Sequence, residues 1–417
     1  MANSKERLAR KLNTADAVVI GLGAMIGSGI FVAISPAVAS AGSGILLGLF
    51  IAAIMAYCNA TSSGQLAAVY PESGGTYVYG RERLGRLWGW LAGWGFVIGK
   101  IASCAAAALT FGYYVYAPAA KYFALLAVAG LTVANYRGIE KTLAVTRIIV
   151  FVVLSALFVA VFASLGGGNI DSSRLVPFSG TGGLWGILQA AGILFFAFAG
   201  YARIATLGEE IREPRKAIPK AMMVALLVTL FIYFTVIAGA LLAAGPEAIA
   251  QSHTPLVTAV EAGSLGWISP VVRLGAIVAS VGVLLSLMLG ISRTLFSMAG
   301  NKELPVWLAG VHPKFKVPHH AEVTVALVIG MVVMLWDVRS AIGFSAFTIL
   351  IYYAITNASA WTLSKEQRLW PRWLSVLGMA GCILLAFSLP RSSVLAGGIV
   401  MAAGFVMYGL SSGRMKT

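Results

Sequence analysis

The chain has 417 residues, of which 59% are hydrophobic and 11% charged, with a formal net charge of +15. Mean hydropathy is +0.87. Apolar runs of about 20 residues, the length that crosses a bilayer, recur from end to end and leave no polar stretch long enough for a soluble domain. Residues 1–417 are therefore expected to form one all-α integral membrane domain in the lipid bilayer. A nucleic-acid partner is excluded, because the positive charge follows membrane topology.

Twelve spans are predicted, near 16–39, 44–69, 87–112, 118–135, 143–166, 184–208, 219–244, 267–298, 320–336, 340–363, 372–389 and 392–411. The segment before the first, MANSKERLARKLNTAD, is basic and polar. The apolar run behind it is too long for a signal peptide, so it is expected to stay as an anchor. The first span holds VIGLGAMIGSGIFV, in which Gly21, Gly23, Gly27 and Gly29 crowd around Ser28. Glycine costs about 1 kcal/mol relative to alanine in a helix interior. In lipid, a loosened backbone must still find partners. YPESGG closes the second span. The third opens with GRERLGRLWGWLAGWG, where Arg and Trp mark an interfacial entrance. It then carries Lys100 into the apolar run, with Cys104 one turn further on. NYRG closes the fourth span and SLGGGN the fifth. The sixth reads GILFFAFAGYARIATLGEE, with Phe195, Phe196 and Phe198 set among Ala197, Ala199, Gly192 and Gly200. A charged loop, GEEIREPRKAIPKAM, follows, and its Pro214 and Pro219 are expected to interrupt any long helix. GNKELPVWLAGVHPKFKVPHH reads as a short helix on the inner face.

An even number of spans puts both termini on one side. Of the 30 Lys and Arg residues, only Lys121, Arg174, Arg339 and Arg391 fall on the opposite side. Lys100, Arg203 and Arg273 fall within or at the edge of spans, and all the others share the side of the termini. The positive-inside rule then makes both termini cytoplasmic, in a plasma (inner) membrane.

Catalytic chemistry is missing from the pattern. Cys58, Cys104 and Cys382 lie in apolar runs and read as small buried hydrophobes. His253, His312, His319 and His320 fall in loops or at a span edge. There is no His-Glu-x-x-His pattern, phosphate-binding loop or cysteine pair, so no enzyme, cofactor or metal site is expected. Acids are nearly absent from span interiors, with Asp16 at the inner edge of the first.

The loosened helices stand out instead. One glycine-rich span also has a plainer reading, as a close-packing face. Two interrupted spans at matching positions of two halves point to a secondary-transporter site. Where a helix unwinds, its amides lose their partners one turn back, and the next half-helix presents positive partial charge to a carboxylate. Unwound carbonyls suit an ammonium group. Together they read a zwitterion without charged side chains.

GLGAMIGSGIF, YPESGGTYVYGRERLGRLWGWLAGW, NYRGIE, FFAFAGYARIATLGEEIREPRKAIPKA and SRTLFSMAGNKELPVWLAGVHPKFKVP resemble, in that order, the amino acid–polyamine–organocation superfamily. The resemblance covers roughly residues 12 to 365. It implies a five-plus-five inverted repeat with discontinuous helices one and six (repeats near 16–166 and 184–363) plus two added helices near 372–411. It also implies alternating-access transport of amino acids or related amines. By the same resemblance, Gly27, Ser28 and Gly29 bind the carboxylate and Met25 lines the pocket. Carbonyls of Phe196, Ala197 and Ala199 face the ammonium, Gly200 permits the break, and Phe196 is an aromatic gate.

Many relatives place a lysine midway along span five; here that position falls near Val153, which puts a proton-coupling role there in doubt. Lys100 is a candidate for a pocket or proton-linked role, with Cys104 beside it, and the competing reading is a side chain that snorkels toward the inner surface. Arg203 reads as a structural or gating residue paired with Glu209 or Glu210. The function expected is secondary amino acid transport, as proton-coupled symport or exchange. The alternatives are a polyamine or organic-amine exchanger on the same fold, or a sensor that binds an amino acid without moving it.

Overall fold

A computed structural model describes residues 12–70, 74–138, 143–176, 182–205, 211–301 and 303–414, apart from the side chains of 202, 215 and 411–414. Every long element is a helix. Among the described residues nine helical stretches are long and apolar enough to cross a membrane, and His319–Leu335 and Arg372–Ser388 are shorter apolar helices.

The first apolar run is divided into α1 (Thr14–Met25), α2 (Ser28–Val32) and α3 (Ile34–Ala41). Asn13 caps α1 in a reciprocal box: its side chain accepts from the Asp16 amide at 2.9 Å, and Asp16 accepts from the Asn13 amide at 3.1 Å. Asp16 also meets Arg147 at 2.6 Å. Asp16→Ala should therefore cost about 1–2 kcal/mol, most of it through the cap. Arg147→Ala removes only a pair whose arginine side chain is 59% exposed and should cost under about 1 kcal/mol. Thermal unfolding in detergent checks the order, and equal losses would assign the energy to the ion pair instead.

Next come α4 (Ile45–Val69), the short α5 (Thr76–Leu84), α6 (Arg86–Tyr116), α7 (Ala120–Tyr136) and α8 (Leu143–Gly166). The short, polar α5 lies outside the apolar runs and is tied to its neighbours by side chains. Tyr77 donates to Glu303 at 2.7 Å, Arg81 lies 3.4 Å from the same carboxylate, and Thr76 shares a 2.6 Å bond with Thr356. Burial first, and then Glu303, push the Tyr77 hydroxyl above its ordinary pKa.

The entrance tryptophans divide their roles. Trp88 is exposed, as an interfacial anchor would be, but Trp90 is 1% exposed. Its indole donates to the Gly404 carbonyl at 2.7 Å, and Trp94 donates to that of Val400 at 2.8 Å. An indole N–H buried away from water needs such an acceptor.

The second half holds α9 (Gly183–Phe198), the single turn α10 (Ala202–Ala205), α11 (Pro214–Gln251), α12 (Pro255–Glu261) and α13 (Ser269–Gly300). It closes with α14 (His319–Leu335), α15 (Val338–Trp361), α16 (Arg372–Ser388) and α17 (Arg391–Arg414). Two local expectations change. Pro214 and Pro219 do not interrupt a helix: α11 starts on Pro214 and runs through Pro219. Proline suits the first helical position, where the missing N–H has no intrahelical role. The true kink is at Gly245, whose φ of 81° is open to glycine without a steric penalty. Arg174 and Asn169 satisfy the carbonyls near it, at 2.8 Å to Leu242 and 3.0 Å to Ala243. The expected inner-face helix between α13 and α14 is only a four-residue 3-10 turn, Val306–Ala309, because Pro305 and Gly310 bound it.

Candidate functional site

The first break follows from local backbone. α1 stops at Met25, Ile26 leaves the helical region at φ −80°, ψ 67°, and Gly27 is extended at φ −117°, ψ −151°. The Gly27 amide bonds back to Met25 at 2.8 Å. The amides that open α2 consequently lack intrahelical acceptors. Ala33 stays helical at φ −72°, ψ −17° and carries the column on into α3. A side chain at Gly27 would meet Val283 of α13, since a Cβ there would lie 2.2 Å from its methyl group.

The second break lies directly against the first. α9 ends at Phe198, Ala199–Tyr201 forms a 3-10 turn, and α10 follows. A Cβ on Gly200 would lie 2.2 Å from the Ala24 carbonyl oxygen and 2.6 Å from the Met25 nitrogen. A Cβ on Gly29 would lie 3.0 Å from the Ala197 Cα. Below the breaks, Gly21 receives Ile204 of α10, and the Arg212 amide donates to Leu12 at 2.9 Å. The two loosened segments therefore touch backbone to backbone.

Two tyrosines hold them. Tyr233 of α11 shares its hydroxyl proton between the Met25 carbonyl at 2.6 Å and the Ala197 carbonyl at 3.1 Å. Tyr353 of α15 donates to the Ala199 carbonyl at 3.4 Å. Thr229 faces the Met25 sulfur at 3.9 Å. The phenylalanines of α9 separate by burial. Phe195 and Phe198 are fully buried, with rings edge-on to Tyr353 and Tyr233 at 5.6 and 5.1 Å. Phe196 is only partly buried and sits over Gly29, 3.7 Å from where its Cβ would be.

The remaining candidates are more dispersed. Lys100 is half-buried on α6, with its ammonium 5.9 Å from the ring of Phe96, which in turn lies 5.6 Å from Tyr352. Tyr114, further along α6, donates to Phe31 of α2 at 2.9 Å. Lys100 is thus about 21 Å of helix away from that contact, toward the entrance of α6. Cys104 is fully buried, as are Cys58 and Cys382, and all three are free thiols. Val153 is buried on α8, which packs on α1 and α13. Arg203 is exposed on α10; Glu209 and Glu210, its expected partners, lie outside the described residues.

Sequence reasoning missed Tyr233 and Tyr353, and with them a buried polar cluster behind the second break. Asn357 of α15 donates to the Asn59 side chain at 2.6 Å and accepts from Ser62 at 2.7 Å. Ser62 also lies 3.1 Å from Ser375 of α16. The available signal was YCNATSS and YYAITNAS: asparagine inside an apolar span needs a partner on another helix.

A profile for the family described as Amino acid permease matches residues 16–413. An uncharacterized transporter of Mycobacterium tuberculosis is 53% identical over 405 residues, covering 97% of this chain and 92% of that protein. The branched-chain amino acid permease BcaP of Bacillus subtilis is 26% identical, covering 98% and 94%. Cationic amino acid transporter 4 of Homo sapiens is 26% identical, covering 86% of this chain and 60% of that protein. These are membrane transporters. More particularly, the chain belongs to the amino acid permease family of the amino acid–polyamine–organocation superfamily.

Proposed function

We propose that this protein is a secondary amino acid transporter of the plasma membrane that works by alternating access. The observation that carries the reading is the meeting of two helix breaks, one offering free amides and the other offering carbonyls, with Gly29 set against Ala197. On this reading the segment Gly27, Ser28 and Gly29 holds the substrate carboxylate, next to Met25: the Ser28 and Gly29 amides donate to it, while that of Gly27 is bonded back to Met25 in this structure. The carbonyls of Phe196, Ala197 and Ala199 receive its ammonium, Gly200 permits the turn, and Phe196 gates the site. The twelve spans form two inverted five-helix repeats, near 16–166 and 184–363, with α16 and α17 added. Both termini are cytoplasmic, in accord with the placement of Lys and Arg. Protons are the coupling or exchange partner.

On this reading Lys100 tilts the substrate class toward neutral or acidic amino acids, because a half-buried ammonium toward the entrance of α6 repels a cationic side chain. Desolvation also makes a lysine's protonation easy to switch. Counterflow into proteoliposomes, with a panel of labelled amino acids and with or without a pH gradient, tests the whole reading. Transport of no amino acid or amine would defeat it. In the same assay Lys100→Ala should flatten the pH profile or shift the preferred substrate. Uptake unchanged at every pH and across the panel would return Lys100 to the snorkelling role.

A further inference from the structure

The loop between α13 and α14 is folded around one histidine. The His312 amide donates to the Val317 carbonyl at 2.9 Å, and its carbonyl accepts from the Lys316 amide at 3.0 Å. Its ring nitrogen Nδ1 accepts from the amides of Lys314 and Phe315 at 3.2 and 3.1 Å. Within this closed turn Lys316 is held at a φ of 57°, in the left-handed region that a side chain disfavours. The His312 ring also sets the loop against its neighbours. It stands 5.2 Å from Tyr136 at the end of α7 and 5.4 Å from His319 at the start of α14. Phe315 packs on both His312 and Tyr136, at 4.9 and 6.0 Å. Where the same linker leaves α13, Glu303 holds Tyr77 and Arg81 of α5. Four helices on one face of the molecule are thus tied together through it.

These bonds decide the protonation of His312. A backbone amide can only donate, so Nδ1 must present a lone pair, and the neutral ring carries its proton on Nε2. An imidazolium has a hydrogen on both nitrogens and can accept from neither amide. The closed turn and the charged ring exclude one another. His320 differs: its Nδ1 meets the Trp307 carbonyl at 2.7 Å, a donor's role that protonation leaves intact. The titratable and charged groups on the surrounding elements are Tyr136 and Arg137 of α7, His319, His320 and Glu322 of α14, and Lys314 and Lys316 of the loop.

We propose that His312 is a proton-operated latch: neutral, it closes the 312–317 loop and braces α13 against α7 and α14, and protonated, it lets the Lys314 and Phe315 amides go. Histidine is the side chain whose ordinary charge change falls between about pH 5 and 8. α13 also carries Val283, which abuts Gly27 at the first break, so slack at the end of α13 bears on the site. On the transporter reading above, this face is cytoplasmic. Acid inside then slackens the brace and slows the carrier, whatever protons do in coupling.

Hydrogen–deuterium exchange of the full-length protein in detergent reads the latch directly. His312→Asn is the reference: its Oδ1 sits where Nδ1 was, accepts the same amides as in an Asx turn, and does not titrate. At about pH 7.5 the 312–317 segment should be equally protected in both proteins. At about pH 5.5 the wild type should exchange at least about tenfold faster than His312→Asn, and comparison at one pH cancels the intrinsic pH dependence of exchange. His312→Phe keeps a ring without an acceptor and should exchange fast at both values. Equal protection of wild type and His312→Asn at about pH 5.5, or of wild type and His312→Phe at about pH 7.5, would overturn the proposal. If His312→Asn fails to fold, the other two decide: they must differ at the higher pH and converge at the lower. Counterflow into proteoliposomes is the second arm and rests on the transporter reading. Acid on the side of the termini should slow the wild type at least about threefold more than His312→Asn. Equal slowing would refute a role for the latch in transport. A protein that moves no amino acid would instead refute the transporter reading, with the exchange result still judging the latch.

Discussion

Gly200→Ala is expected to reduce amino acid uptake at least about 100-fold, equivalent to roughly 2.7 kcal/mol. The added methyl would stand 2.2 Å from the Ala24 oxygen, 2.3 Å from the Ala24 carbon and 2.6 Å from the Met25 nitrogen. Overpacking costs about 1–3 kcal/mol even where side chains can yield. Here the obstacle is backbone at the end of α1, so relief requires moving one break away from the other. That movement would part the amides of one segment from the carbonyls of the second. Gly130→Ala on α7 is the control, since no heavy atom lies within 4 Å of its would-be Cβ. Uptake in proteoliposomes, normalised to inserted protein, decides. Equal activity of the two variants would show that the breaks need not touch.

Tyr233→Phe should be the most damaging single-atom change. It keeps the ring, and so keeps the packing on Phe198 at 5.1 Å. It removes the one hydroxyl shared between the Met25 and Ala197 carbonyls. The Met25 carbonyl keeps the Gly27 amide as a donor, so what is lost is one buried hydrogen bond at each carbonyl, about 0.5–1.5 kcal/mol apiece. The two breaks also lose the one side chain that, among the described residues, bonds both. Substrate affinity should fall by about ten- to a hundredfold, with a lower melting temperature in detergent. Binding within about twofold of wild type would mean that backbone contact alone aligns the site.

Much of this arrangement was legible beforehand. GAMIGSG located the first break to within a residue or two, because glycine density inside an apolar run has a physical cost that must be offset. FFAFAG located the second by pairing. The sequence also separated apolar from polar stretches well enough to place the helices. What it could not carry was which side chain reaches across. Tyr233 and Tyr353 look like ordinary aromatic residues in apolar runs, and only packing reveals that their hydroxyls end on carbonyls of other segments. Trp90 misled for the same reason: composition matched an interfacial anchor, whereas its neighbour is a helix more than 300 positions later. Pro214 misled because a helix start tolerates proline, and the position of that start depends on the chain before it.

The attachment of α17 has a consequence of its own. Large apolar side chains such as Leu395, Ile399, Phe405 and Leu410 are exposed along it. Lipid tails are as apolar as those side chains, so burial gives it little reason to stay beside the others. Two indole N–H groups on α6 take carbonyls of α17 at Val400 and Gly404, one turn apart. Hydrocarbon offers no rival acceptor to an indole that lets go. Trp90 and Trp94 thus work as moorings at two points of α17, beside its packing on α15.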